Sequence, residues 1–145
     1  MSVILTAAFF LGIAHCETRG EADPDRAAGW DKLSFGRYQI TDGYREDVNR
    51  IAGTTYTRED CFNPETSRKM MEIYLGHYAT EGRLGHVPHY WEIGLIHHHG
   101  PNGWKRGPED HYARTFNEFM EKDAPRDGST DTVGADVGNT IQKGE

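Results

Sequence analysis

With only two cysteines, Cys16 and Cys61, in 145 residues, no disulfide framework can hold this chain, and its fold has to rest on core packing. Their spacing leaves one bridge and two free thiols both open. No Lys or Arg precedes Arg19, so the positively charged start of a secretion signal is missing, and His15 interrupts the small residues that such a signal carries at its cleavage point. The apolar run from Val3 to Cys16 is also shorter than the roughly 20 residues a membrane-crossing helix needs. It reads as a buried helix of the folded domain, and no membrane span is expected. A surplus of positive charge is lacking too. A net charge of −7 argues against nucleic acid as a partner, because binding a phosphate backbone takes a cationic surface. The chain has no internal repeat, no His-Glu-x-x-His and no paired-cysteine pattern, so neither a metal nor another cofactor is expected.

The patterning that is present is mainly helical. Ile4, Leu5, Phe9, Phe10, Leu11 and Ile13 leave no polar face between Val3 and Glu17, as in a helix at the centre of a domain, with Gly20 able to end it. Residues 21–34 are polar and turn-rich. Ser34 to Thr41 is short, aromatic and β-branched, which predicts a strand or hairpin, and a helix is expected from Tyr44 to about Ala52. Asn63-Pro64-Glu65 starts another with a capping side chain followed by proline. Behind it Met70, Met71, Tyr74, Leu75 and Tyr78 recur at three- and four-residue steps, with Gly82 to close the helix. Two more helices are predicted, from about Pro88 to His98 with Trp91, Leu95 and Ile96 inward, and from Pro108 to about Lys122 with Tyr112, Phe116, Phe119 and Met120 on one face. This makes one domain over residues 1–122. Residues 123–145 form a polar tail without aromatics, read as disordered or, from the four-residue spacing of Val133, Val137 and Ile141, as a short helix docking on a protein partner.

Glu17 is the residue with the clearest chemical meaning. Sixteen residues precede it with no charged side chain other than a titratable His15. A carboxyl group there is expected to hold its proton, since desolvation and the negative end of a helix dipole both disfavour its charge. A carboxylic acid still protonated near neutral pH is what cleavage of a glycosidic bond uses. A solvated glutamate on the last turn of a helix, without any chemical role, fits the position equally well.

Three motifs decide between these readings. Ile13-Ala-His-Cys-Glu17-Thr-Arg-Gly20 resembles the segment that carries the catalytic glutamate in lysozyme-like and lytic transglycosylase domains. Ser34-Phe-Gly-Arg-Tyr38-Gln39-Ile40, with Tyr44 and Asp47 behind it, is similar to the Ser-x-Gly…Gln-Ile stretch of invertebrate-type (destabilase-like) lysozymes and their bacterial relatives. Ile96-His97-His98-His99-Gly100-Pro101-Asn102-Gly103 resembles the Ile-His-Asn-Gly-Gly-Pro-Asn-Gly signature of the same family. The resemblance runs over roughly residues 4–104. It implies a mainly α (α+β) lysozyme-like fold with a buried central helix and a small β element. It also implies cleavage of β-1,4 links in peptidoglycan or a chitin-like polymer, by a protein expected to be extracellular, periplasmic or virion-associated.

By the same resemblance Glu17 is the acid. The family's second carboxylate, in a Trp-Asp step, matches Trp30-Asp31 and makes Asp31 the expected nucleophile or charge stabiliser; Asp23, Asp25 and Asp47 compete for that role, and a loop acid capping a turn would explain Asp31 without chemistry. Tyr38 and Gln39 are expected behind the sugar, Gln39 offering both a donor and an acceptor. Ser34 is a candidate hydrogen-bond partner of a carboxylate, and His97 a binding residue. Tyr38 fits core packing as well. His98 and His99 depart from the family's Asn-Gly, adding bulk and titratable groups. A lytic transglycosylase that needs Glu17 alone, and a lysozyme fold kept only for structure or glycan binding, stay open as alternatives.

Overall fold

Side-chain caps fix where most of the helices begin. In the computed structural model, which describes residues 4–19, 21–29 and 32–125, 63% of those residues are helical and the only sheet found among them has two strands. The α-helices are α1 (Ala7–Glu17), α2 (Asp42–Ala52), α3 (Pro64–Tyr78), α4 (Glu81–Leu84), α5 (Tyr90–His99) and α6 (His111–Lys122), with 3-10 turns at Pro24–Arg26, Arg58–Phe62 and Gly103–Arg106. Strands β1 (Ser34–Phe35) and β2 (Ile40–Thr41) pair antiparallel, Ser34 opposite Thr41 and Phe35 opposite Ile40.

The mainly helical expectation holds, with local differences that have physical causes. α1 starts at Ala7 rather than Val3, because the Thr6 hydroxyl accepts from the Phe9 amide at 3.1 Å and caps the helix. Gly82 does not close α3. That helix ends at Tyr78; Thr80 then accepts from the Arg83 amide and starts the one-turn α4, which ends on left-handed Gly85. Asn63 acts as expected, its side-chain oxygen accepting from the Glu65 and Thr66 amides at 2.9 and 3.0 Å. Trp91 does not face inward. It is only half-buried and stacks on His89, while Ile93, Leu95 and Ile96 are buried. Gly20 lies outside the described residues, as does the tail beyond Pro125.

The chain divides into two compact units, one of Met1–Ile13 with Tyr78–Glu145, the other Ala14–His77. In the first, Phe9 packs against Phe10, Tyr90 and Phe116 with ring centroids 5.3–5.7 Å apart. The Tyr90 hydroxyl donates to the Ile4 carbonyl at 2.7 Å, and α5 contributes Ile93, Leu95 and Ile96 to the same core. In the second, Phe35, Tyr38 and Ile40 of the hairpin, Tyr44 and Val48 of α2, and Met70, Met71, Tyr74 and Leu75 of α3 form the core. Tyr44 and Tyr74 lie face to face, 3.8 Å between centroids and 12° between planes. Among the described residues no helix is long and apolar enough to cross a membrane.

Two glycines permit backbone-to-backbone approaches. A Cβ on Gly103 would sit 2.2 Å from the Leu95 carbonyl oxygen, and one on Gly36 would sit 1.9 Å from that of Cys61. Gly36 also holds φ +83°, where a side chain is strained. Nothing lies within 4 Å of a Cβ on helical Gly76. Gly36→Ala and Gly103→Ala are therefore each expected to lower unfolding stability by about 2–4 kcal/mol in denaturant titrations. Gly76→Ala should leave it unchanged or raise it by up to about 1 kcal/mol. Equal behaviour of the three variants would contradict the packing described.

Candidate active site

Glu17 is the last residue of α1 and is half-buried. Burial, followed by the Glu17 carboxylate, pushes the Cys16 thiol up to about 12, with Arg19 pulling weakly the other way. Burial, then Tyr74 and Glu17, holds the Tyr44 phenol well above its ordinary range. Cys16 and Cys61 are both free; Cys61, buried, is raised to about 11, chiefly by desolvation, so neither thiol is an activated nucleophile.

Directly after Glu17 the chain meets the hairpin. The Thr18 hydroxyl lies 3.0 Å from the Ala14 carbonyl and 3.3 Å from that of Arg37. The hairpin's four-residue turn closes with the Gln39 amide donating to the Gly36 carbonyl at 3.0 Å, and Gln39 itself is left-handed at φ +53°, a strained setting for a residue with a side chain. On its other edge β1 meets the preceding loop: Ala28 bridges Phe35, the Gly36 amide donates to Ala27 at 2.7 Å and the Gly29 amide to Ser34 at 2.8 Å.

The expected site residues take the following places. The Ser34 hydroxyl donates to the Gln39 side-chain oxygen at 2.6 Å, and the Gln39 amide nitrogen donates to the Gly36 carbonyl at 2.9 Å. The two residues brace the turn, which leaves Gln39 less donor and acceptor capacity for a sugar than its amide alone would offer. Tyr38 is buried, its hydroxyl accepting from Arg68 Nε at 3.0 Å. Asp31 lies outside the described residues. Of its competitors, Asp25 is held by both nitrogens of the Arg37 fork, at 2.8 and 3.3 Å, Asp47 is paired with Arg50, and Asp23 is exposed beside the Pro24–Arg26 turn. Sequence reasoning missed Thr18 and the Tyr44–Tyr74 stack. Thr18 matched the glutamate motif without being given a role, and Tyr74 read only as part of an apolar helix face.

In the other unit, His97 is 6% exposed and offers a ligand little surface. His98 stacks on Tyr112 at 4.4 Å, 17° from parallel, and His99 Nε2 lies 3.6 Å from an Asp110 oxygen that also accepts from Arg106 Nε at 2.7 Å. Asp110 caps α6 through the Tyr112 amide. Desolvation works to raise its carboxyl, but Arg106, that amide and His99 outweigh it and hold it low. Among the described residues no group of three or more His, Cys, Asp or Glu side chains is placed to hold a metal. Searches against protein-family models, curated proteins and solved structures gave no match to this chain.

His99 gives a pH dependence with a definite sign. Desolvation, then His98 and Arg106, push its value below the ordinary 6.5, Asp110 offsetting only in part. The unfolded chain therefore takes up a proton before the folded one does, and stability falls as pH drops through about 6.5 toward the folded value. Substituting His99→Gln should flatten the decline in melting temperature between about pH 7 and pH 5 relative to wild type. Parallel curves for the two proteins would contradict the assignment.

Proposed function

We propose that this protein is a glycoside hydrolase of the lysozyme type, cutting β-1,4 links of peptidoglycan or a chitin-like glycan with Glu17 as the general acid. The observation that carries the reading is the position of Glu17. It is a half-buried carboxyl on the final residue of an apolar helix, and the next residue is hydrogen-bonded to the turn of the Ser-Phe-Gly-Arg-Tyr-Gln-Ile hairpin. The two segments that resemble lysozyme motifs thus meet within one unit. The chemistry follows from what such a group can do: Glu17 gives its proton to the glycosidic oxygen, which leaves as a hydroxyl, while the sugar carbon becomes oxocarbenium-like. Asp31 is the residue we assign to stabilise or attack that carbon. With a wall polymer as substrate, the proposed setting is extracellular, periplasmic or virion-associated.

One observation favours a second reading within the same class. Asp25 and Asp47 already carry guanidinium partners and are poorly disposed to serve as nucleophiles, which leaves the exposed Asp23 as the remaining competitor of Asp31. Were Asp31 also remote from the sugar, Glu17 could act alone as in a lytic transglycosylase, first giving a proton to the leaving oxygen and then taking one from a hydroxyl of the same sugar, which closes an anhydro ring. Digestion in 18O-labelled water separates the two, since hydrolysis puts the label on the new reducing end and ring closure does not.

For either route, Glu17→Gln should lower wall-clearing activity by at least about 100-fold while sedimentation with insoluble peptidoglycan and the melting temperature stay at wild-type values. Clearing that survives the substitution would remove Glu17 from the mechanism. A wild-type protein that binds wall and never clears it would favour a fold retained for glycan binding alone, a role to which the altered His98-His99 pair would be less damaging.

A further inference from the structure

We infer that Thr18 is a positioning residue for the proposed reaction, its hydroxyl tying the last turn of α1 to the hairpin and so fixing where Glu17 stands. The inference rests on the hydrolase reading and adds a residue to it. Thr18 is 9% exposed. Its amide donates to the Ala14 carbonyl at 2.9 Å, continuing the helical pattern one residue past Glu17, and its hydroxyl lies between that carbonyl at 3.0 Å and the Arg37 carbonyl at 3.3 Å. One proton is thus shared between a helix acceptor and a hairpin acceptor.

The hairpin end of this link is itself fixed. The Arg37 side chain is clamped by Asp25, and Gly36 lies directly against the Cys61 backbone. A β-branched residue suits such a post because its χ1 is stiff, so the hydroxyl transmits the hairpin's position to the helix end with little slack. With residue 18 held at both ends, the backbone that carries the neighbouring carboxyl is held as well. The consequence for catalysis is geometric: a displacement of about 1 Å at the reacting groups can reduce turnover roughly 100-fold.

The test uses the full chain with solubilised peptidoglycan as substrate. Thr18→Val keeps the shape and removes the proton; Thr18→Ser keeps the proton and loosens the rotamer. The inference expects Thr18→Val to lower kcat at least about tenfold with KM within about twofold of wild type, and Thr18→Ser to recover most of the loss. Backbone hydrogen exchange should quicken at Arg37–Ile40 in the valine variant and not in α3. A valine variant with wild-type kcat and wild-type exchange overturns the inference even when Glu17→Gln is inactive, in which case the hydrolase reading stands without it. A merely structural threonine would lower the melting temperature of both variants while the folded fraction kept its kcat, and that result also overturns it. If the wild type never cleaves glycan, the reading itself fails and takes the catalytic role of Thr18 with it. Hydrogen exchange then still shows whether the hydroxyl fixes the turn.

Discussion

The close approach of Gly36 to the carbonyl of Cys61 is the constraint on which the Ala14–His77 unit depends. With no Cβ in the way, the first turn residue of the hairpin lies on the Arg58–Phe62 turn, and the same Cys61 carbonyl accepts the Ser67 hydroxyl at 2.8 Å, joining that turn to α3. Around the contact Phe35 meets Phe62 edge to face at 6.0 Å, and Arg26 and Arg58 lie over the two rings at 4.5 and 4.7 Å. Each such cation–ring pair at an exposed site contributes about 0.5–1 kcal/mol, small beside the cost of forcing a side chain in at position 36. The hairpin is therefore placed by backbone shape first and by ring packing second. Thr18 then joins the end of α1 to it.

This ordering explains what the chain discloses and what it hides. Helices announced by local chemistry are legible: Asn63-Pro64 starts α3, Gly100-Pro101 follows the end of α5, and the short aromatic stretch from Ser34 becomes the hairpin. Signals in competition are not. Gly82 looked like the end of α3, but Thr80 caps a new turn and Gly85 ends that one. Thr6 lay unnoticed inside an apolar run although its hydroxyl sets the start of α1. Trp91 read as core because it shares a helix face with Leu95, yet it sits in the first turn of α5, where the indole is half-buried beside His89, while Glu92 to His97 are buried.

At the site the same limit applies more sharply. The sequence points both to Glu17 and to the hairpin through the motifs they stand in. It does not disclose that Ser34 and Gln39 bond to each other, since a five-residue separation carries no signature of side-chain pairing, nor that Asp25 is locked by Arg37 twelve positions away. Those pairings narrow the chemistry. They engage Asp25 and Asp47 with guanidinium partners, and they give the polar groups of the hairpin a bracing role.

The account is tested most directly by a crystal structure of the inactive Glu17→Gln protein soaked with a β-1,4-linked N-acetylglucosamine oligomer. The glycosidic oxygen of one link is expected within roughly 2.6–3.2 Å of the side chain at position 17, the distance that proton transfer requires. An oligomer bound to the protein with every link remote from that side chain would contradict it.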